Sequence, residues 1–208
     1  GYSTLALDNL MMHEVTPGCV ASDEKAMDGW AKDTGIDIWR EHNDGGTNTH
    51  DGSFYGLKVT TSNASHAVYT PNTTIASSGE WAQRFAGRTV TFGAWAKTGT
   101  ANCARLRVHD GSSTYSSYHT GGGGWEWLEL TVSMSASATL AYFYVHGGGS
   151  ATGTVYYSQP MLVFGSSIGE GNYTKPRGEI VWFETDILST IYNESKTLSS
   201  NAEINLES

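Results

Sequence analysis

The sequence predicts an all-β protein, and three observations lead there. Several segments alternate apolar and polar residues with period 2, the mark of a half-buried strand. The clearest is RTVTFGAWAK, Arg88–Lys97, where Val90, Phe92, Ala94 and Ala96 alternate with Thr89, Thr91, Gly93 and Trp95. Such segments are separated by clusters of turn residues, with 25 Gly among 208 residues. Thr, Val, Tyr and Trp, which favour a pleated surface, are common between those clusters, and 12% of residues are aromatic.

Ser3–Met12 reads as an edge strand, and Thr16–Thr34, broken by Pro17, Gly18 and Gly29, as a long surface loop anchored by Trp30. In IDIWREH, Ile36–His42, Ile36, Ile38 and Arg40 share one face and Asp37, Trp39 and Glu41 the other; a strand is expected, with the buried face open. Asn43–Ser53, NDGGTNTHDGS, is turn chemistry and ends a hairpin arm. FYGLKVTTS, Phe54–Ser62, sets Tyr55, Leu57 and Val59 toward the core, and HAVYTP follows, with Pro71 marking an edge or an end. IASSGEWAQRFAG holds the one helical turn, short, with Ser78 as its cap and Trp81 and Phe85 four apart on one side.

After Arg88–Lys97, ARLRVHDG turns Ala104, Leu106 and Val108 inward and Arg105, Arg107 and His109 outward before an Asp110-Gly111 turn. Ser112–Gly124 reads as a polar loop studded with Tyr115, Tyr118 and His119. WEWLELTVSMS buries Leu128, Leu130 and Val132; TLAYFYVHGGG buries Ala141, Phe143 and Val145 and turns out Tyr142, Tyr144 and His146. TVYYSQPMLVFG closes the unit as a last strand with Pro160 as its irregularity. Composition changes at Ser166, so the expected division is a sandwich over 1–165 and, over 166–208, a linker and C-terminal tail with a strand at Glu179–Phe183, or the start of a further domain.

Lys and Arg number 12 against 21 Asp and Glu, a formal charge of −9. Affinity for nucleic acid comes from neutralising phosphates with a basic patch, so nucleic acid and anionic membrane are excluded as expected partners. No apolar run approaches the ~20 residues that span a bilayer, and the N-terminus lacks the pattern of a secretory signal, so a soluble chain is expected. Cys19 and Cys103 either form a bridge closing a long loop or are two small buried thiols. Asn63, Asn72, Asn172 and Asn193 head N-x-S/T triplets, which a Ser- and Thr-rich chain produces by chance.

The sequence holds no G-x-S-x-G elbow, P-loop, H-E-x-x-H or C-x-x-C, and its seven His are scattered rather than set at metal-ligand spacing. Asp37, Glu41, Asp110, Glu126 and Glu129 are the carboxylates from which a hydrolytic pair would be drawn, or are simply solvated strand ends. Asp44, Asp51 and Asp110 sit in Gly-rich turns, where they either ligate calcium or only make the turn. The stronger signal is distributional. Trp95, then Arg105, Arg107 and His109, then Tyr142, Tyr144 and His146 fall on the non-core face of three strands, with Tyr118 and His119 as rim contacts. Rings stack on the C–H faces of sugars while forked donors take hydroxyls; the alternative is that this face is covered by loops or the tail.

GRTVTFGAWAKTG, RVHDG, GGWEWLELTVSMSASATLAYFYVHGG and GTVYYSQPMLVFGS, over Arg88–Pro176, resemble the jelly-roll carbohydrate-binding modules of the galactose-binding-like type. The versions in phage tail-fibre and virion-surface proteins are similar in running from the last strand into a Q-P-M-L segment and a Tyr-x-x-Pro tail, here Tyr173–Pro176. The resemblance implies an antiparallel β-sandwich (jelly roll) with a C-terminal extension, a glycan or cell-surface polysaccharide as ligand, and often a structural calcium. Such modules carry an acidic residue in the last strand where this chain reads Ser158-Gln159-Pro160, which weakens the calcium expectation. The leading expectation is a non-catalytic glycan- or receptor-binding module on a virion surface or outside the cell, with other virion proteins and a second copy of the chain as further candidate partners. A purely structural decoration or spacer domain and an extracellular polysaccharide-degrading enzyme are the alternatives.

Overall fold

The computed structural model describes residues 30–42, 48–50, 55–70 and 78–173. Ten strands and one short helix follow in chain order: β1 (Ala31–Lys32), β2 (Ile36–His42), β3 (Tyr55–Thr61), β4 (Ala67–Tyr69), α1 (Ser78–Gln83), β5 (Thr89–Lys97), β6 (Leu106–His109), β7 (Ser113–Tyr115), β8 (Trp125–Ser133), β9 (Tyr142–His146) and β10 (Gly153–Phe164). They form two five-stranded sheets, β2-β3-β10-β5-β8 and β1-β4-β9-β6-β7, in which all pairings are antiparallel. The first is called sheet A and the second sheet B. This is an antiparallel β-sandwich, as expected.

Alternation explains the core. Phe92 of β5, Leu162 of β10 and Leu128 and Leu130 of β8 point inward from sheet A, and Leu106, Val108, Phe143 and Val145 point inward from sheet B. Phe92 and Phe143 meet edge to face across the layers with ring centroids 5.8 Å apart. Each such side chain contributes about 1.5–3 kcal/mol through burial. β2 resolves its open choice in the ordinary way: Ile36 and Ile38 are fully buried, and Trp39 is turned out beside the Lys58 ammonium. α1 and the turn after it pack into the core, Phe85 lying against Trp81, Phe143 and Phe164 while the Trp81 indole N–H donates to Ala141 O at 2.8 Å. Tyr157 links the layers from β10, donating its hydroxyl to His146 O at 2.6 Å.

Some expectations need correction. The loop expected up to Thr34 already contains β1, which pairs with β4. The loop expected from Ser112 contains β7, an edge strand pairing with β6. Neither short strand has a buried alternating set, so neither leaves a periodic signal. Packing also continues past the composition break at Ser166. Ile168 is buried against Met161 and Val163 on the outer face of sheet A, with Trp127 and Tyr173 at its margin. The chain divides between Pro176 and Arg177, and every described residue belongs to the first unit. The expected strands Ser3–Met12 and Glu179–Phe183 and the thiol Cys19 lie outside the described residues. Cys103 is a buried free thiol whose S–H donates to Gly147 O; burial pushes its pKa up to about 11, which makes it inert.

Candidate functional site

The outward residues of sheet B make one continuous face of rings and guanidinium groups. Arg107 sits opposite Tyr144 on β9 and opposite Tyr115 on β7, His109 is opposite Tyr142, and Tyr69 of β4 is opposite Tyr144 from the other side. Neighbouring strands lie about 4.8 Å apart, so side chains in register touch. The Tyr69 and Tyr144 centroids are 5.0 Å apart, Tyr142 and Tyr144 5.9 Å, and His109 lies nearly parallel to Tyr142 at 6.2 Å.

Both arginines rest on these rings. The Arg105 guanidinium carbon is 3.8 Å from the Tyr115 centroid and 4.6 Å from that of Tyr118; Arg107 is 4.3 Å from Tyr144. Such contacts contribute about 0.5–2 kcal/mol and hold the guanidinium plane in place. Tyr118 is itself fixed: its hydroxyl oxygen accepts from the Ser150 N–H at 3.1 Å, and a Cβ on Gly149 would strike its ring. Burial pushes the Tyr144 phenol up to about 12, against the opposing pull of Arg107, so it remains a neutral hydroxyl. His146, expected to face outward with Tyr142 and Tyr144, is instead fully buried at the end of β9, and burial, with Arg105 and Arg107 nearby, pulls its pKa down to about 4. Its Nδ1–H donates to Gly148 O at 3.2 Å, leaving Nε2 a lone-pair acceptor with no partner.

Of the residues expected to bind, Arg105, Arg107, His109, Tyr118, Tyr142 and Tyr144 come together on this face. Trp95 does not. It lies on the outer face of sheet A, 6% exposed, with His50 stacked on it at 3.8 Å and 16°. That cover is anchored on β10, where the chain slips register between Ser158 and Met161 and Gln159 takes a φ of 51°. Ser158 Oγ accepts from the His50 N–H, and the Gln159 side chain donates to His50 O. His119 is also no rim contact. It is 1% exposed, its Nε2–H donating to Gly124 O at 3.0 Å while Nδ1 accepts from the Gly121 N–H at 2.8 Å. It fastens the loop that carries Tyr118.

Tyr69 and Tyr115 on the face were not among the expected ligand residues. Tyr69 sits on a three-residue strand, too short for a period; Tyr115, 40% exposed, had been noted only as a loop aromatic.

The carboxylates hold loops. Glu126 accepts from the Thr120 N–H and hydroxyl, with His119 beside it. Burial pushes the carboxyls of both Glu126 and Glu129 up, yet the hydrogen bonds each accepts prevail and hold them below the usual value. A general acid in glycoside hydrolysis needs the opposite shift. Asp110 accepts from Ser112 N–H and, at 2.7 Å, from Ser135 N–H, tying the β6–β7 turn to the loop after β8. Asp44 and Asp51, the other calcium candidates, lie outside the described residues. Among the described residues no group of three or more His, Cys, Asp or Glu converges as a metal site, and no helix is long and apolar enough to cross a membrane.

The fold is the β-sandwich found in carbohydrate-binding modules. The chain superposes on the N-terminal modules of endo-1,4-β-D-xylanase 10B from Clostridium thermocellum, solved with xylohexaose, at a TM-score of 0.51 and 14% identity, covering 77% of this chain and 30% of that one. It spans about a third or less of that xylanase chain. The C-terminal family 22 carbohydrate-binding module of the same enzyme gives 0.49 at 17% identity, over 73% of this chain and 95% of that module. The enzymatically active domain of tailspike protein 4 of bacteriophage CBA120 gives 0.47 at 15% identity, over 74% of this chain and 22% of that one. At these identities the likeness is one of fold. No family model matches the sequence, and no curated protein matches it.

Proposed function

We propose that this chain is a non-catalytic glycan-binding module and that the outer face of sheet B takes the ligand. One observation carries the reading: four strands and an adjoining loop align half-buried tyrosines with two arginines across a single sheet face. Tyrosine offers a flat apolar ring and a hydroxyl, and arginine a fork of donors, which is the chemistry a sugar's C–H face and hydroxyl groups require. Glu126 and Glu129, bound into loop clamps and held ionised, favour binding over hydrolysis. The xylan-degrading neighbour, solved with an oligosaccharide, is consistent with a glycan ligand. For setting, the resemblance over Arg88–Pro176 to modules of phage fibres supports a virion or extracellular surface, with a glycan of the host as partner.

The test is a glycan array with the purified chain, repeated with Tyr115→Ala. Tyr115 is the most accessible ring of the face, so the variant should keep its melting temperature and lose most of its array signal. An empty array for the folded parent protein would overturn the reading and favour a structural spacer. Release of reducing or unsaturated ends from a bound polysaccharide would overturn the non-catalytic part.

A further inference from the structure

We infer that the glycan recognised by sheet B is an acidic one, whose carboxylate is taken by the paired guanidinium groups of Arg105 and Arg107. The inference rests on the glycan-binding reading and names the ligand class of that same face. Its first support is charge. The chain carries −9 overall, yet Arg107 on β6 and Arg105 just before that strand form no ion pair with any described carboxylate. Among the described residues the ion pair seen is His119 with Glu126. Burial is the main cause that raises Tyr69 and Tyr144, the Asp33 charge adding a smaller push, and Asp33 Oδ2 accepts from the Ala67 N–H at 2.9 Å. Among the described residues, two neighbouring cations without a carboxylate partner are open to an outside anion.

The second support is pre-organisation. Tyr115 and Tyr118 each lie within 4.6 Å of the Arg105 guanidinium carbon, and Tyr144 lies 4.3 Å from that of Arg107. Ring stacking uses the faces of the guanidinium planes, and with Nε of both arginines buried it is their terminal Nη edges that can meet a carboxylate. A rigid planar fork matches a carboxylate with two parallel hydrogen bonds, whereas a single hydroxyl uses only one arm. A uronate residue supplies both a carboxylate for the fork and a C–H face for the tyrosines. A long phosphate backbone would meet the −9 field of the rest of the chain, which disfavours nucleic acid as the anion.

The experiment measures the full chain against three polyuronates of different linkage (polygalacturonate, alginate and hyaluronate), each beside its methyl-esterified form, and against neutral xylan and cellulose, by calorimetry and affinity electrophoresis. At least one polyuronate should bind about tenfold or more tightly than its own ester, because esterification removes the charge and keeps the backbone. Arg107→Gln should abolish that difference. Arg107→Lys, which keeps charge without the fork, should retain the parent's melting temperature and still lose most of the discrimination, so the reading remains testable if Arg107→Gln misfolds. Equal binding of acid and ester, or binding of neutral xylan alone, overturns the acidic-ligand inference and leaves the glycan-binding reading standing. No binding to any polysaccharide by a folded chain overturns both.

Discussion

Glu129→Gln is the sharpest test of how sheet A is closed. One carboxylate on β8 accepts four donors: Trp127 Nε1 at 2.9 Å and Gly169 N at 2.8 Å on Oε2, and Ser167 Oγ at 3.2 Å and Ile168 N at 3.3 Å on Oε1. Glutamine keeps the shape but turns one acceptor into a donor, so two of the four partners face an N–H group. Hydrogen bonds to a charged group contribute about 1.5–3 kcal/mol in favourable surroundings, and the part-exposed setting reduces this. The expected net cost is about 2 kcal/mol, or about 4–8 °C in melting temperature for a domain of this size. Ile168→Ala should cost a similar amount, and because Glu129 positions the backbone on which Ile168 sits, the double variant should depart from additivity by more than about 0.5 kcal/mol. The pH dependence follows from the sign of the shift. Glu129 titrates below its ordinary value of 4.5 when folded, so its contribution is present above that value and is lost as pH falls through the depressed one. The gap between parent and Glu129→Gln should therefore narrow in acid. A variant with unchanged midpoint in urea, or an additive double-variant cycle, would show that Ser166–Tyr173 is not held this way.

Phe143→Ala should cost about 3–5 kcal/mol by chemical denaturation, and an unchanged midpoint would remove Phe143 from the core. Trp95→Ala should lower the melting temperature as a core truncation of about 3 kcal/mol does, while leaving glycan binding unchanged; loss of binding with stability retained would restore Trp95 to the site. His146 has its pKa lowered from 6.5 to about 4 on folding, so the unfolded chain binds the proton more readily. Stability should drop by about 2 kcal/mol between pH 7 and pH 5. His146→Gln should lack that drop, and superimposable stability–pH curves for the two proteins would refute the buried neutral imidazole.

Much of the fold was legible because period 2 is a direct readout of one buried face. Val90, Phe92, Leu106, Val108, Leu128, Leu130, Phe143 and Val145, assigned to the core from alternation, are all buried. Where alternation was too short to see, the reading stopped. β1, two residues at a sheet edge, and β7, with three exposed side chains, are defined by main-chain pairing to a neighbour remote or unrecognised in sequence. At the start of the tail, composition hides a packing made at long range. Ser166–Gly171 has the composition of a linker, but its N–H groups and Ile168 find partners on a sheet face whose acceptor, Glu129, lies 40 residues from Gly169.

The candidate site was half legible, and chemistry explains which half. Alternation says that a side chain leaves the core; it does not say from which sheet, or what lies over it. Trp95 and Tyr144 obey the same rule and end on opposite outer faces of the sandwich. The company each keeps differs, however. Around Trp95 the outward positions of sheet A include Gly93, Trp127, Met161 and Val163, with Ser158 and Glu129 turned to hold the covering residues, and a Cβ on Gly93 would run into the Trp127 ring, so that ring lies flat along β5. Such a surface has little to offer water, and Ile168 and His50 cover it. Around Tyr144 the outward positions are Arg107, Tyr69 and Tyr142, each with an apolar body and a polar end that tolerates solvent. The distinction was present in the residue types: outward tryptophan beside glycine and aliphatics marks a face that the chain covers itself, and outward tyrosine beside arginine marks one that can stay open to a ligand.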